Sequence, residues 1–102
     1  MSRPAALLAV LLVTSAALAF VACAKPPSHA ECDALLDHYV ELLVNSDRPG
    51  TSGAELHKLQ LQARQKAVRD PEFEQCSQRV SRRAYECAMS ALNADKLEQC
   101  LL

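Results

Sequence analysis

Five residues of this 102-residue chain offer the most chemistry: Cys23, Cys32, Cys76, Cys87 and Cys100. A thiol can be modified covalently, ligate a metal, carry electrons or close a disulfide. Spacing argues against two of these. No Cys-x-x-Cys occurs, and that spacing is what poises a dithiol for redox exchange. No close pairs of Cys and His ligands occur, so no zinc site is expected. Cross-linking and covalent modification remain. An odd cysteine count leaves one residue over once the others pair. Cys23 is the one that stands apart, because it ends a long apolar run broken only by Thr14 and Ser15. The other four each fall on the apolar stripe of a helical segment, where a cystine between packed helices has to lie. Disulfides are therefore expected among Cys32, Cys76, Cys87 and Cys100. Four cysteines allow three connectivities. Cys76 and Cys87 flank a break at Val80-Ser81, and Cys87 and Cys100 flank one at Asn93-Ala94. A hairpin argument supports either pairing and does not choose between them.

The remaining polar residues do not converge on a catalytic site. His29, His38 and His57 are scattered, and Asp33, Asp37 and Glu41 recur every four residues around His38. That strip reads as a solvated helix face with local ion pairing rather than a metal or acid–base centre. Ser and Thr sit at caps and turns, where backbone hydrogen bonding accounts for them. With only two glycines, Gly50 and Gly53, no phosphate-cradling loop exists. No catalytic residue, metal or cofactor is expected, and the chain does not read as an enzyme.

The segment before Cys23 reads as an export signal. Arg3 and the amino terminus supply positive charge, and Ala5 to Ala24 carries no charged residue. A run of about 20 apolar residues is also long enough to cross a bilayer. Its alanine richness, its position at the extreme N-terminus and the small residues before Cys23 favour a cleaved signal. The stretch Leu18-Ala19-Phe20-Val21-Ala22-Cys23 resembles a lipobox, the site at which a bacterial lipoprotein signal peptide is cut and the new N-terminal cysteine is lipidated. Ala22 and Val21 fit that pattern; Phe20 stands where leucine is usual. The resemblance implies cleavage between Ala22 and Cys23 and a diacylglycerol on the Cys23 sulfur. Ala22-Cys23-Ala24 also satisfies an ordinary A-x-A site, with the cut before Lys25. Either cut disposes of the odd cysteine. Export and disulfides then agree, because thiols oxidise in the periplasm and stay reduced in the cytosol.

The expected organisation is a signal peptide over 1–22, a lipidated tether over 23–28 and a four-cysteine helical domain over 29–102. A single domain of this size has a marginal core and depends on staples. The whole chain has 11 Lys+Arg against 12 Asp+Glu, which leaves no electrostatic footprint for nucleic acid. Charge is uneven, however. Glu31, Asp33, Asp37, Glu41 and Asp47 make the first helix acidic, and Lys58, Arg64, Lys66, Arg69, Arg79, Arg82 and Arg83 make the middle basic. Packing of acidic against basic helices, or plain solvation, is the expected outcome.

Helical periodicity runs through the domain. Ser28-x-x-Glu31 forms a capping box for a helix from about His29 to Asn45, with Cys32, Leu35, Leu36, Tyr39, Leu42 and Leu43 on one face. Turn residues from Asp47 to Gly53 precede a second box, Ser52-x-x-Glu55, and a helix to about Arg69. Asp70-Pro71 starts or kinks the next segment, on which Phe73, Cys76 and Val80 form a stripe. Ser81 caps a helix over Arg82 to Leu92, with Ala84, Cys87, Ala88 and Ala91 on a narrow face beside Tyr85, Met89 and Leu92. Asp95-x-x-Glu98 resembles a last capping box, before Leu97, Cys100 and Leu101. The fold expected is all-α: an irregular, disulfide-stapled bundle of four or five short helices.

Glu31-Cys32-Asp33, and Tyr85-Glu86-Cys87-Ala88-Met89-Ser90-Ala91 followed by Cys100, make the domain similar to small four-cysteine helical lipoproteins of Gram-negative bacteria such as spirochaetes and myxobacteria. The resemblance implies a fold and a place in the cell envelope, and no activity. Ala24 after Cys23, where aspartate is absent, implies outer-membrane sorting under the enterobacterial pattern, facing the periplasm. The functional expectation is a membrane-anchored binding or structural module, held by lipid on Cys23 and engaging a protein or envelope partner. The alternative is a soluble secreted or periplasmic inhibitor or effector, cut after Ala24.

Overall fold

Ser28 begins the longest helix, and both halves of its capping box form. The Ser28 hydroxyl accepts from the Glu31 amide at 3.2 Å, and the Ser28 amide donates to Glu31 Oε1 at 3.1 Å. The computed structural model describes residues 24–102; Ala22 and Cys23, with the rest of the expected signal, lie outside the described residues. Helix α1 spans His29–Asp47, two residues beyond the expected end. It stops in a tight turn in which the Thr51 amide donates to the Arg48 carbonyl at 3.2 Å. Pro49 presets the first central position of that turn. Gly50 supplies the second, at φ +84°, where a side chain would strain the backbone.

Helix α2 (Gly53–Ala67) starts with Ser52 accepting from the Glu55 amide; this is a single cap rather than the expected box. Asp70 then caps, and Pro71 opens, α3 (Pro71–Glu74), the combination read from the sequence. The stripe Phe73-Cys76-Val80 is divided at Gln75 between α3 and a second single-turn helix, α4 (Cys76–Arg79). Ser81 accepts from the Ala84 amide and starts α5 (Arg82–Met89), which ends before the expected Leu92. Leu92 is consequently 85 % exposed and takes no part in the core. The last helix, α6 (Ala94–Cys100), is capped by Asn93, whose side chain accepts from the Lys96 amide at 2.8 Å. The expected Asp95-x-x-Glu98 box does not form, because Asn93 reaches the free amides first and places Asp95 inside the helix.

The described residues thus form an all-α fold of six helices, where four or five were expected; single-turn helices carry too little periodicity to be separated in sequence. Helix α1 is the common element. It packs extensively on α2 and also meets α4, α5 and α6, while α5 and α6 pack on each other. The core is Leu35 from α1 with Ala88, Ala91 and Leu97, surrounded by Tyr39, Leu42, Tyr85, Met89 and Cys100. Ala88 is fully buried. Its single methyl lets α1 and α5 approach closely.

Two disulfides close the fold. Cys32–Cys76 joins the first turn of α1 to α4 across 44 residues, with Cα atoms 6.3 Å apart. Cys87–Cys100 joins α5 to α6 across 13 residues, with Cα atoms 5.7 Å apart. The hairpin question is settled in favour of Cys87–Cys100. Cys32 and Cys76 are buried, whereas Cys87 lies at an exposed edge of its helix pair.

Candidate anchor clamp and apolar groove

Lys25-Pro26-Pro27 joins the expected lipidation site to α1. Two consecutive prolines have no amide hydrogens, so Pro26 and Pro27 can be held only through their carbonyl oxygens or their ring carbons. Both are used. Pro27 is among the largest fully buried side chains of the domain. The donors come from Arg82, the first residue of α5. Its Nε donates to the Lys25 carbonyl at 2.9 Å and its Nη2 to the Pro26 carbonyl at 3.4 Å. The same guanidinium grips the Glu31 carboxylate through both ends, Nη1 to Oε2 at 2.5 Å and Nη2 to Oε1 at 2.8 Å. Its carbon lies 5.3 Å from the Tyr85 ring centroid. A planar fork with several fixed donors can satisfy a carboxylate and two carbonyls together, which an ammonium cannot do in the same geometry.

The clamp sets the electrostatics of Glu31. Hydrogen bonding from Arg82, then the Ser28 amide, holds its carboxyl down at about 2. Glu31 therefore has two tasks, capping α1 and anchoring Arg82, and only the first is visible in local sequence. Nothing in the spacing of Lys25, Glu31 and Arg82 signals the second.

Other sequence-noted polar residues also act across helices. Asp37, read as part of a solvated strip, accepts Arg64 Nε at 3.0 Å and Nη2 at 2.5 Å, joining acidic α1 to basic α2. His38, placed by periodicity on the polar side, is half-buried and donates from Nε2 to the Ala91 carbonyl at 3.1 Å, satisfying the backbone just after α5. The Tyr39 hydroxyl donates to Glu98, and that bond raises the Tyr39 pKa because the carboxylate disfavours a phenolate beside it. Of the strip read as solvated, Asp37 and His38 are engaged in contacts with other segments while Glu41 is exposed; the Arg64–Asp37 pair is the acidic-on-basic packing expected, and Tyr39 lies on the apolar face as read.

Beside the first disulfide lies an open groove of about 440 Å³. Leu35, Leu36, Phe73, Val80, Leu97 and Leu101 supply apolar walls, and Glu72, Arg79 and Glu98 supply charge. Its chemistry suits an apolar side chain or methylene chain flanked by a polar group. No group of three or more His, Cys, Asp or Glu side chains that could hold a metal occurs among the described residues. None of the helices among these residues is long and apolar enough to cross a membrane.

Compared with family models, curated proteins and solved structures, the chain matches none. The described residues carry four cysteines in two disulfides, a capped and clamped N-terminal segment, and an apolar groove beside the buried staple.

Proposed function

We propose that this chain is a bacterial lipoprotein: the Cys23 sulfur takes a diacylglyceryl group from a phospholipid, displacing its phosphate headgroup to form a thioether, cleavage after Ala22 makes Cys23 the N-terminus, and the helical domain serves as an anchored binding module in the cell envelope, facing the periplasm. The observation that supports this most is the pairing of the cysteines. Cys32 with Cys76 and Cys87 with Cys100 use all four thiols that follow Cys23. Disulfides of this kind belong to exported proteins. Cys23, at the end of the apolar run, then stands outside the disulfide framework, as a lipidated residue must.

Intact mass of the protein from a membrane fraction, alkylated with and without prior reduction, tests the reading. The expected species begins at Cys23, carries acyl chains and takes up four alkyl groups only after reduction. A chain beginning at Lys25 without lipid refutes the anchor and supports a soluble secreted or periplasmic effector. Lipid labelling that persists in a Cys23→Ala variant also refutes it.

A further inference from the structure

If Cys23 carries the lipid, the proposal just made and the one on which this inference rests, then the distance from bilayer to fold is set by what lies between Cys23 and the first immobilised residue. That residue is Lys25. Its carbonyl and that of Pro26 are held by Arg82, Pro27 is buried, and Ser28 already caps α1. The link from Cys23 through Ala24 to Lys25 spans at most about 7 Å even when fully extended. A flexible leash from Cys23 to Ser28 would reach roughly 17 Å by the same geometry. We infer that the Arg82 clamp seats the N-terminal end of the domain directly on the lipid headgroups, making the first turns of α1 and α5 a membrane-facing surface rather than leaving the domain on a loose tether.

Two exposed cations at this end suit that partner, although exposed Glu86 lies one turn further along α5. Lys25 is exposed beside the clamp, and Arg83 is exposed next to Arg82 in the first turn of α5. Among the described residues the ion pairs are Arg64–Asp37 and Arg82–Glu31, so neither Lys25 nor Arg83 is engaged by a carboxylate. Cations held within a Debye length of a bilayer are drawn to anionic headgroups. Arg82 itself is neutralised by Glu31; its part is to set distance.

Energy transfer to the membrane tests this. The chain has no tryptophan, so His29→Trp places a single indole donor on the exposed first residue of α1. The lipidated protein, purified from bacterial membranes, is reconstituted in phosphatidylethanolamine–phosphatidylglycerol vesicles containing a dansyl-headgroup lipid. Strong donor quenching is expected. Inserting a long Gly-Ser linker between Ala24 and Lys25 leaves the clamp intact and should abolish most of the transfer. Arg82→Ala, checked for retained helicity by circular dichroism, should lower it to an intermediate value. Transfer no greater in the parent than in the linker variant overturns the inference, and so does transfer unchanged by Arg82→Ala. Absence of lipid by mass spectrometry overturns the lipoprotein reading instead, so the two failures are distinguishable.

Discussion

Removing the two disulfides separately should have unequal consequences. In the chain-entropy description a cross-link stabilises by restricting the unfolded chain, and more so for a longer loop. The 44-residue separation of Cys32–Cys76 gives about 4 kcal/mol by this relation. The 13-residue separation of Cys87–Cys100 gives about 3 kcal/mol. Burial acts in the same direction: Cys32 is 1 % exposed and Cys76 is 8 % exposed, so truncating them also removes packing, whereas Cys87 is already in solvent. A core of this size supplies only about 3–5 kcal/mol by itself. Cys32→Ala/Cys76→Ala should therefore destabilise the domain, and lower its urea midpoint, more than Cys87→Ala/Cys100→Ala does, by about 1 kcal/mol from loop length plus the packing lost around Cys32 and Cys76. Urea titration of the oxidised chain from Cys23 onward, followed by circular dichroism, measures both. Equal losses, or a larger loss for Cys87–Cys100, would refute the loop-length argument and assign the stability to local strain or unfolded-state structure.

Three further outcomes follow from other contacts. Leu97, 2 % exposed at the centre of the α1–α5–α6 core, should cost about 2–4 kcal/mol when changed to Ala, read from the same urea titration. The Arg64–Asp37 pair is part-exposed, so a double-mutant cycle of Arg64→Ala with Asp37→Ala should give a coupling of about 1 kcal/mol or less, reduced further by salt. Glu31 has a folded pKa of about 2 against an ordinary 4.5, so its contribution is present above pH 4.5 and is lost as the pH falls toward 2. Glu31→Gln should remove that component of the acid-stability profile, and an unchanged profile would count against the clamp.

Residues near one another in sequence foretold much of this fold. Ser28, Ser81 and Asp70-Pro71 cap helices in place because capping chemistry acts within three residues, a range sequence displays directly. The turn at Pro49-Gly50 and the apolar face of α1 are legible for the same reason. Where two local options competed, as with Asn93 and Asp95, sequence spacing did not choose; the backbone did.

By itself the sequence determined the helical class, the start of each longer helix, and the expectation of disulfides among Cys32, Cys76, Cys87 and Cys100; that Cys87 is exposed rather than on a buried apolar stripe was not visible in it. The disulfide pairing, the clamp of Arg82 on Lys25, Pro26 and Glu31, and the inward roles of Asp37 and His38 were decided by tertiary structure alone. Each of these joins residues far apart in sequence, and no periodicity encodes which face of a helix meets which distant segment. Arg82 shows the physical reason most plainly. A guanidinium looks solvated in any helix, and only the arrival of a donor-poor Pro-Pro segment and a carboxylate with a spare oxygen gives it a place to bind.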